Sequence, residues 1–227
     1  MMLTVDESTQ SIKFINVIKL VTFVTEMMSM LKSGYLKIMA LFYENKAARL
    51  HLREIARKAK LHEPSTTAFL NALEKDKIIK SEKDGNQKKY VLNFNHKTYE
   101  IFQLFDLEKL HSLPSIRRGA INYFLDALDE KPLIAFVFGS TAKGAFNADS
   151  DIDMLLITNS EIDSSKAEKN AESLTGIRIG VFQMAFKDFS REIKLKEDPV
   201  IQAALSTGYP VLNQLYYYEA IYGHQIS

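Results

Sequence analysis

The chemistry of this chain is concentrated in residues 136–157, FVFGSTAKGAFNADSDIDMLLI. Gly139-Ser140 closes one apolar run, and Asp151 and Asp153 open the next, Met154-Leu155-Leu156-Ile157. Residues two apart on a strand point to the same side, so this spacing predicts two carboxylates sharing one face. Like charges held so close are unfavourable unless a cation lies between them, and a divalent metal is the natural one. Gly139-Ser140 is expected to end a strand and begin a helix, where unpaired backbone N–H groups attract an anion. Glycine lets a phosphate approach the backbone, Ser140 adds a hydroxyl donor, and Lys143, one turn on, reaches toward the same phosphate. Mg²⁺ (or Mn²⁺) suits such a site, because it takes one or two carboxylates and completes its shell with water and substrate phosphate.

Those residues need elements to hold them. Residues 133–138 read as a strand, followed by a short helix, a loop, and a second strand over 151–157. A helix over 164–174, a strand over 177–184 and C-terminal helices complete a domain at 132–227. Residues 98–131 read as a helical connector. Tyr99, Ile101, Phe102, Phe105, Leu107 and Leu110 precede a break at Leu113-Pro114, and Ile116, Ile121, Phe124, Leu125 and Leu128 follow it. Residues 1–34 hold an amphipathic helix over 10–32, whose apolar stripe suits packing or dimerisation.

Residues 35–97 hold 14 Lys/Arg against 7 Asp/Glu, a net of +7, and residues 98–227 hold 12 against 18, a net of −6. A basic module followed by an acidic one suggests two different partners, phosphates for the first and cations for the second. The chain has no cysteine, which excludes disulfides and thiolate metal sites. Its most apolar early run contains Lys13, Lys19 and Glu26, so no membrane span is expected and the protein is expected to be cytoplasmic. The five histidines are scattered without metal spacing.

Within 35–97, helices are expected over 36–43 and 52–59, with a tight break at Leu61-His62-Glu63-Pro64. A third helix opened by Pro64 or Ser65 buries Thr67, Leu70 and Leu73, and a hairpin turns around Gly85-Asn86. Leu52-Arg53-Glu54-Ile55-Ala56, Ser65-Thr66-Thr67 and the strand pair from Ser81 to Tyr90 resemble the winged helix-turn-helix domains of bacterial and archaeal transcription regulators. The resemblance implies binding to double-stranded DNA as a homodimer. Ser65, Thr66 and Asn71 would face base edges, and Lys83, Lys88 and Lys89 would meet phosphates.

Gly-Ser, ten residues, then Asp-x-Asp is the pattern of the polymerase-beta-like nucleotidyltransferase superfamily, and GS-TAKGAFNADS-DID fits it without a gap. With Lys143-Gly144 and Ser150 in place, the segment resembles the minimal nucleotidyltransferase branch. The expected fold class is therefore α+β: an N-terminal winged helix-turn-helix followed by a nucleotidyltransferase α/β domain with a mixed sheet. The resemblance implies an NTP, ATP in the first instance, bound through Mg²⁺ by Asp151 and Asp153, which serve as catalytic and metal residues. A nucleoside monophosphate passes to an acceptor hydroxyl, and a protein acceptor such as a helical toxin partner belongs to what the branch implies. One departure matters. The family supplies a third carboxylate from the next strand, and residues 176–184, GIRIGVFQM, hold no acid. Gly180 is the expected position of that vacancy. Two functions stay open: a nucleotidyl transferase, and a DNA-binding regulator whose transferase-like domain binds nucleotide without catalysis.

Overall fold

The computed structural model describes residues 34–223. The helix expected over 10–32 lies outside the described residues. The chain divides into two compact units between Asn93 and Phe94.

The first unit runs α1 (Gly34–Glu44), β1 (Leu50–His51), α2 (Leu52–Ala59), α3 (Glu63–Lys75), β2 (Ile79–Asp84) and β3 (Gln87–Leu92). The strands form one antiparallel sheet in the order β1-β3-β2. Gly85, at φ +57°, turns the β2–β3 hairpin in the left-handed region that glycine enters without steric cost. Three helices close over the sheet through Ile38, Met39, Phe42, Ile55, Leu70 and Leu73, all fully buried. The third helix begins one residue earlier than expected, at Glu63 with His62 as its N-cap. Leu70 and Leu73 are inside as expected, and Thr66, four residues before Leu70, joins them in place of Thr67.

The second unit adds α4 (His96–Ser112), α5 (Ser115–Ala127), β4 (Ile134–Phe138), α6 (Gly139–Lys143), β5 (Ile152–Thr158), α7 (Ser165–Thr175) and β6 (Ile179–Ala185). It ends with α8 (Phe186–Leu195), α9 (Pro199–Thr207), β7 (Tyr209–Leu212) and α10 (Gln214–Tyr222). The sheet order is β6-β5-β4-β7, with β5 and β6 parallel and the other pairs antiparallel. Residues 98–131, expected as a connector, belong to this unit's own core. Ala120, Ile121 and Phe124 of α5 and Ala167 and Ala171 of α7 pack on Ala135, Val137, Met154 and Leu156. The expected stripe holds at Ile121, Phe124 and Leu128 and departs only at the start of α5, where Ile116 is exposed and Arg117 is buried. Strand β7 escaped the sequence reading because Pro210 argues against a strand, and its position at a sheet edge is where proline is tolerated. No helix among the described residues is long and apolar enough to cross a membrane.

Candidate functional site

Strands β4 and β5 run antiparallel with Phe138 opposite Asp153, which brings the Gly139 turn against the second aspartate. Gly139 has φ +67°, and a Cβ added to it would stand 2.2 Å from Asp153 Oδ2. The glycine is thus required twice, by the backbone turn and by the carboxylate packed on it. This is the tertiary contact behind the ten-residue spacing.

On the other side, the parallel β5–β6 register sets Asp153 beside Gly180. A Cβ at Gly180 would lie 3.7 Å from Asp153 Oδ1, an ordinary contact, so this position accepts a Cβ beside the carboxylate. Alternation along the parallel pair gives Arg178, Gly180 and Phe182 the same side as Asp151, Asp153 and Leu155. Phe182 is 43% exposed, and its ring meets Phe138 edge-on at 5.6 Å, making an aromatic wall next to the carboxylates. Arg178 Nε stands 3.3 Å from Asp151 Oδ1.

Burial, first, and the charge of Asp151, second, raise the Asp153 carboxyl above the usual carboxylate range. The carboxylates therefore feel each other, and a cation between them would relieve both penalties. Among the described residues no group of three or more Asp, Glu or His is placed to hold a metal. Two carboxylates do not make an all-protein cage, and a cation held by them would have to complete its shell with water and phosphate oxygens. Asp149 is exposed on the preceding turn, where its N–H donates to Asn147 Oδ1.

Helix α6 has five residues, too short for aligned peptide dipoles to matter, so any attraction for phosphate comes from its free N–H groups alone. Ser140 is half-buried and Lys143 is exposed. Gly144, at φ +68°, ends the turn, and Ala145 N–H bonds back to Ser140 O at 3.0 Å.

Arg117 is the residue that sequence reasoning missed. Its guanidinium donates to Thr141 Oγ1 at 2.9 Å, to Asn147 O at 3.4 Å and to Ser150 O, and it lies 4.2 Å over the Phe146 ring. One buried side chain from α5 thereby ties α6 to both ends of the turn that delivers Asp151. Burial pulls its pKa below the ordinary value, and the charge of Asp151 pushes it back up. The sequence offered only a polar residue beside an assumed apolar stripe.

In the first unit, Ser65 and Asn71 are exposed on α3. Thr66 is not available: it is fully buried, and its hydroxyl donates to His62 O at 3.0 Å. Lys88 Nζ pairs with Glu74 Oε2 at 3.0 Å and Lys89 Nζ with Asp84 Oδ2 at 2.7 Å, so both expected phosphate contacts already serve carboxylates. The Ser81 hydroxyl, foremost, and Lys88 hold the Glu74 carboxyl below its ordinary value. Lys83 is exposed near the hairpin tip, opposite Lys88 in the ladder.

Residues 120–207 match the family model described as Polymerase beta, Nucleotidyltransferase. The matched span runs from α5 through α9 and includes Gly139, Ser140, Asp151, Asp153 and Gly180. No curated protein matches the chain. Among solved structures, a chain from a crystal structure of a toxin-antitoxin with AMP-PNP is 15% identical, with a TM-score of 0.33, and the match covers 49% of this chain and 88% of that one.

Proposed function

We propose that the second unit binds a nucleoside triphosphate, ATP in the first instance, with a divalent metal and transfers a nucleoside monophosphate to an acceptor hydroxyl, breaking the α–β phosphoanhydride and releasing pyrophosphate. The observation that carries this reading is the packing of Gly139 against Asp153, with Asp151 on the same side of the strand. Asp151 and Asp153 would hold the cation, and Gly139, Ser140 and Lys143 would receive the phosphates. When bound, the cation supplies charge neutralisation and a lowered pKa for a coordinated hydroxyl. Arg117 keeps the turn before Asp151 fixed, so the carboxylates are positioned before substrate arrives. Gly180 provides no base, so turnover is slow and the acceptor must lose its proton elsewhere.

Incubation with α-labelled ATP, Mg²⁺ and a cell lysate tests this. Wild-type protein should transfer label to a macromolecule, Asp151→Asn should transfer none, and Gly180→Asp should transfer more than wild type. Equal labelling by Asp151→Asn would remove the metal role. Tight Mg-ATP binding with no label in any lysate fraction would favour the reading without catalysis, a nucleotide-binding regulator.

For the first unit, the helix and strand order and the exposed residues Ser65 and Asn71 support a winged-helix reading with duplex DNA as ligand. Lys83 is its best phosphate contact, because Lys88 and Lys89 would first have to leave Glu74 and Asp84. Lys83→Ala should weaken binding to all duplex sequences alike and reduce the salt slope by roughly one. Mobility-shift curves at several salt concentrations read both effects. An unchanged slope would take the hairpin away from the DNA.

A further inference from the structure

We infer that Arg178 is a triphosphate-binding residue, one that pairs with Asp151 and exchanges that carboxylate for the phosphates of a bound nucleotide. The inference rests on the reading of Asp151 and Asp153 as metal ligands. Arg178 stands at the mouth of β6, and its carbonyl accepts from Ile152 N–H at 2.9 Å, which fixes its backbone beside the aspartate segment. Its side chain shares a face with Gly180, so β6 presents a cation next to the position where an acid is missing.

The two arginines near Asp151 differ in freedom. Arg117 is buried and held by three oxygen acceptors and a ring. The Arg178–Asp151 pair leaves the two side chains 67% and 46% exposed, and such pairs break at little cost. A phosphate chain held through a cation on Asp151 would lie beside the same guanidinium, whose planar fork matches phosphate oxygens two at a time. With two acids and one arginine, the site is less negative than one with three acids, which suits an anionic substrate.

The test has opposite signs on two probes. In Arg178→Ala, Mn²⁺ alone, followed by electron paramagnetic resonance, should bind about threefold more tightly, because an exposed competing charge is gone. An α,β-non-hydrolysable ATP analogue with Mg²⁺, followed by calorimetry, should bind roughly tenfold more weakly. Arg178→Lys, which keeps the charge and loses the fork, should fall between the two for the analogue. Arg178 is exposed, so thermal melts of both variants should match wild type. Wild-type protein that binds both probes, with Arg178→Ala unchanged on the analogue, overturns this inference and leaves the metal site standing. Weakening of both probes together also overturns it, since it would make Arg178 a structural support. Wild-type protein that takes up neither probe removes the underlying reading, and this inference with it.

Discussion

Asp153→Asn should abolish metal-dependent nucleotide binding and, in the same protein, raise thermal stability without metal. The two effects have one origin. Burial and the charge of Asp151 both oppose ionisation of Asp153, so its carboxyl sits above its ordinary range in the fold. A group with a raised folded pKa contributes stability below its unfolded pKa, and that contribution is lost as pH rises through the folded value. At neutral pH the ionised carboxylate is therefore a destabilising charge, and the amide of Asn removes it at nearly constant shape. The stability gain should shrink as pH is lowered through the raised folded pKa of wild-type Asp153, where the carboxyl takes up a proton. Binding should fall by more than roughly a hundredfold, since even outer-shell changes at metal sites cost ten- to a hundredfold. Thermal melts across pH, with titrations of Mg-ATP, read both. A variant less stable than wild type at neutral pH, or one that binds Mg-ATP normally, would contradict the assignment.

The second large effect separates two glycines that look alike in sequence. Gly139 and Gly144 have φ of +67° and +68°, so alanine at either should cost about 1–2 kcal/mol of backbone strain. Nothing stands within 4 Å of a Cβ at Gly144, whereas a Cβ at Gly139 would be 2.2 Å from Asp153 Oδ2. Gly144→Ala should therefore lose only the strain term and keep nucleotide binding within a few-fold. Gly139→Ala must also displace the carboxylate, and misplacing a reacting group by about 1 Å can cost a hundredfold in function. A double-mutant cycle isolates the clash: on an Asp153→Ala background, the stability cost of Gly139→Ala should fall to that of Gly144→Ala. Equal costs on both backgrounds would mean that the carboxylate simply swings aside.

The site was legible where chemistry demands particular residue types at short range. Gly139-Ser140 and Asp151/Asp153 lie within fifteen residues, and the strand period of two is enough to pair the carboxylates. Gly180 could only be named as the expected vacancy from a strand without an acid, and it took the parallel register of β5 and β6 to set it beside Asp153. Helix faces were read less well. At the first turn of α3, Thr66 was an expected DNA contact and lies in the core, and at the first turn of α5, Arg117 is inside where Ile116 was expected. A helix turns 100° per residue, so an apolar stripe leaves its boundary residues undecided until a neighbour packs on it.

What the sequence determined by itself was the pairing of a Gly-Ser turn with two same-side acids, the order of most elements, and the absence of an acid on β6. Tertiary structure decided what those residues touch. It set Asp153 against Gly139, Arg178 beside Asp151, Arg117 beneath the turn, and Lys88 and Lys89 on carboxylates of their own unit. The first kind of information is local, because backbone periodicity and steric rules act over a few residues. The second depends on contacts between residues 14 or 33 apart in the chain, and no local rule carries those distances. Burial then turns each contact into energy, since a charge is costly or useful according to what replaces its water.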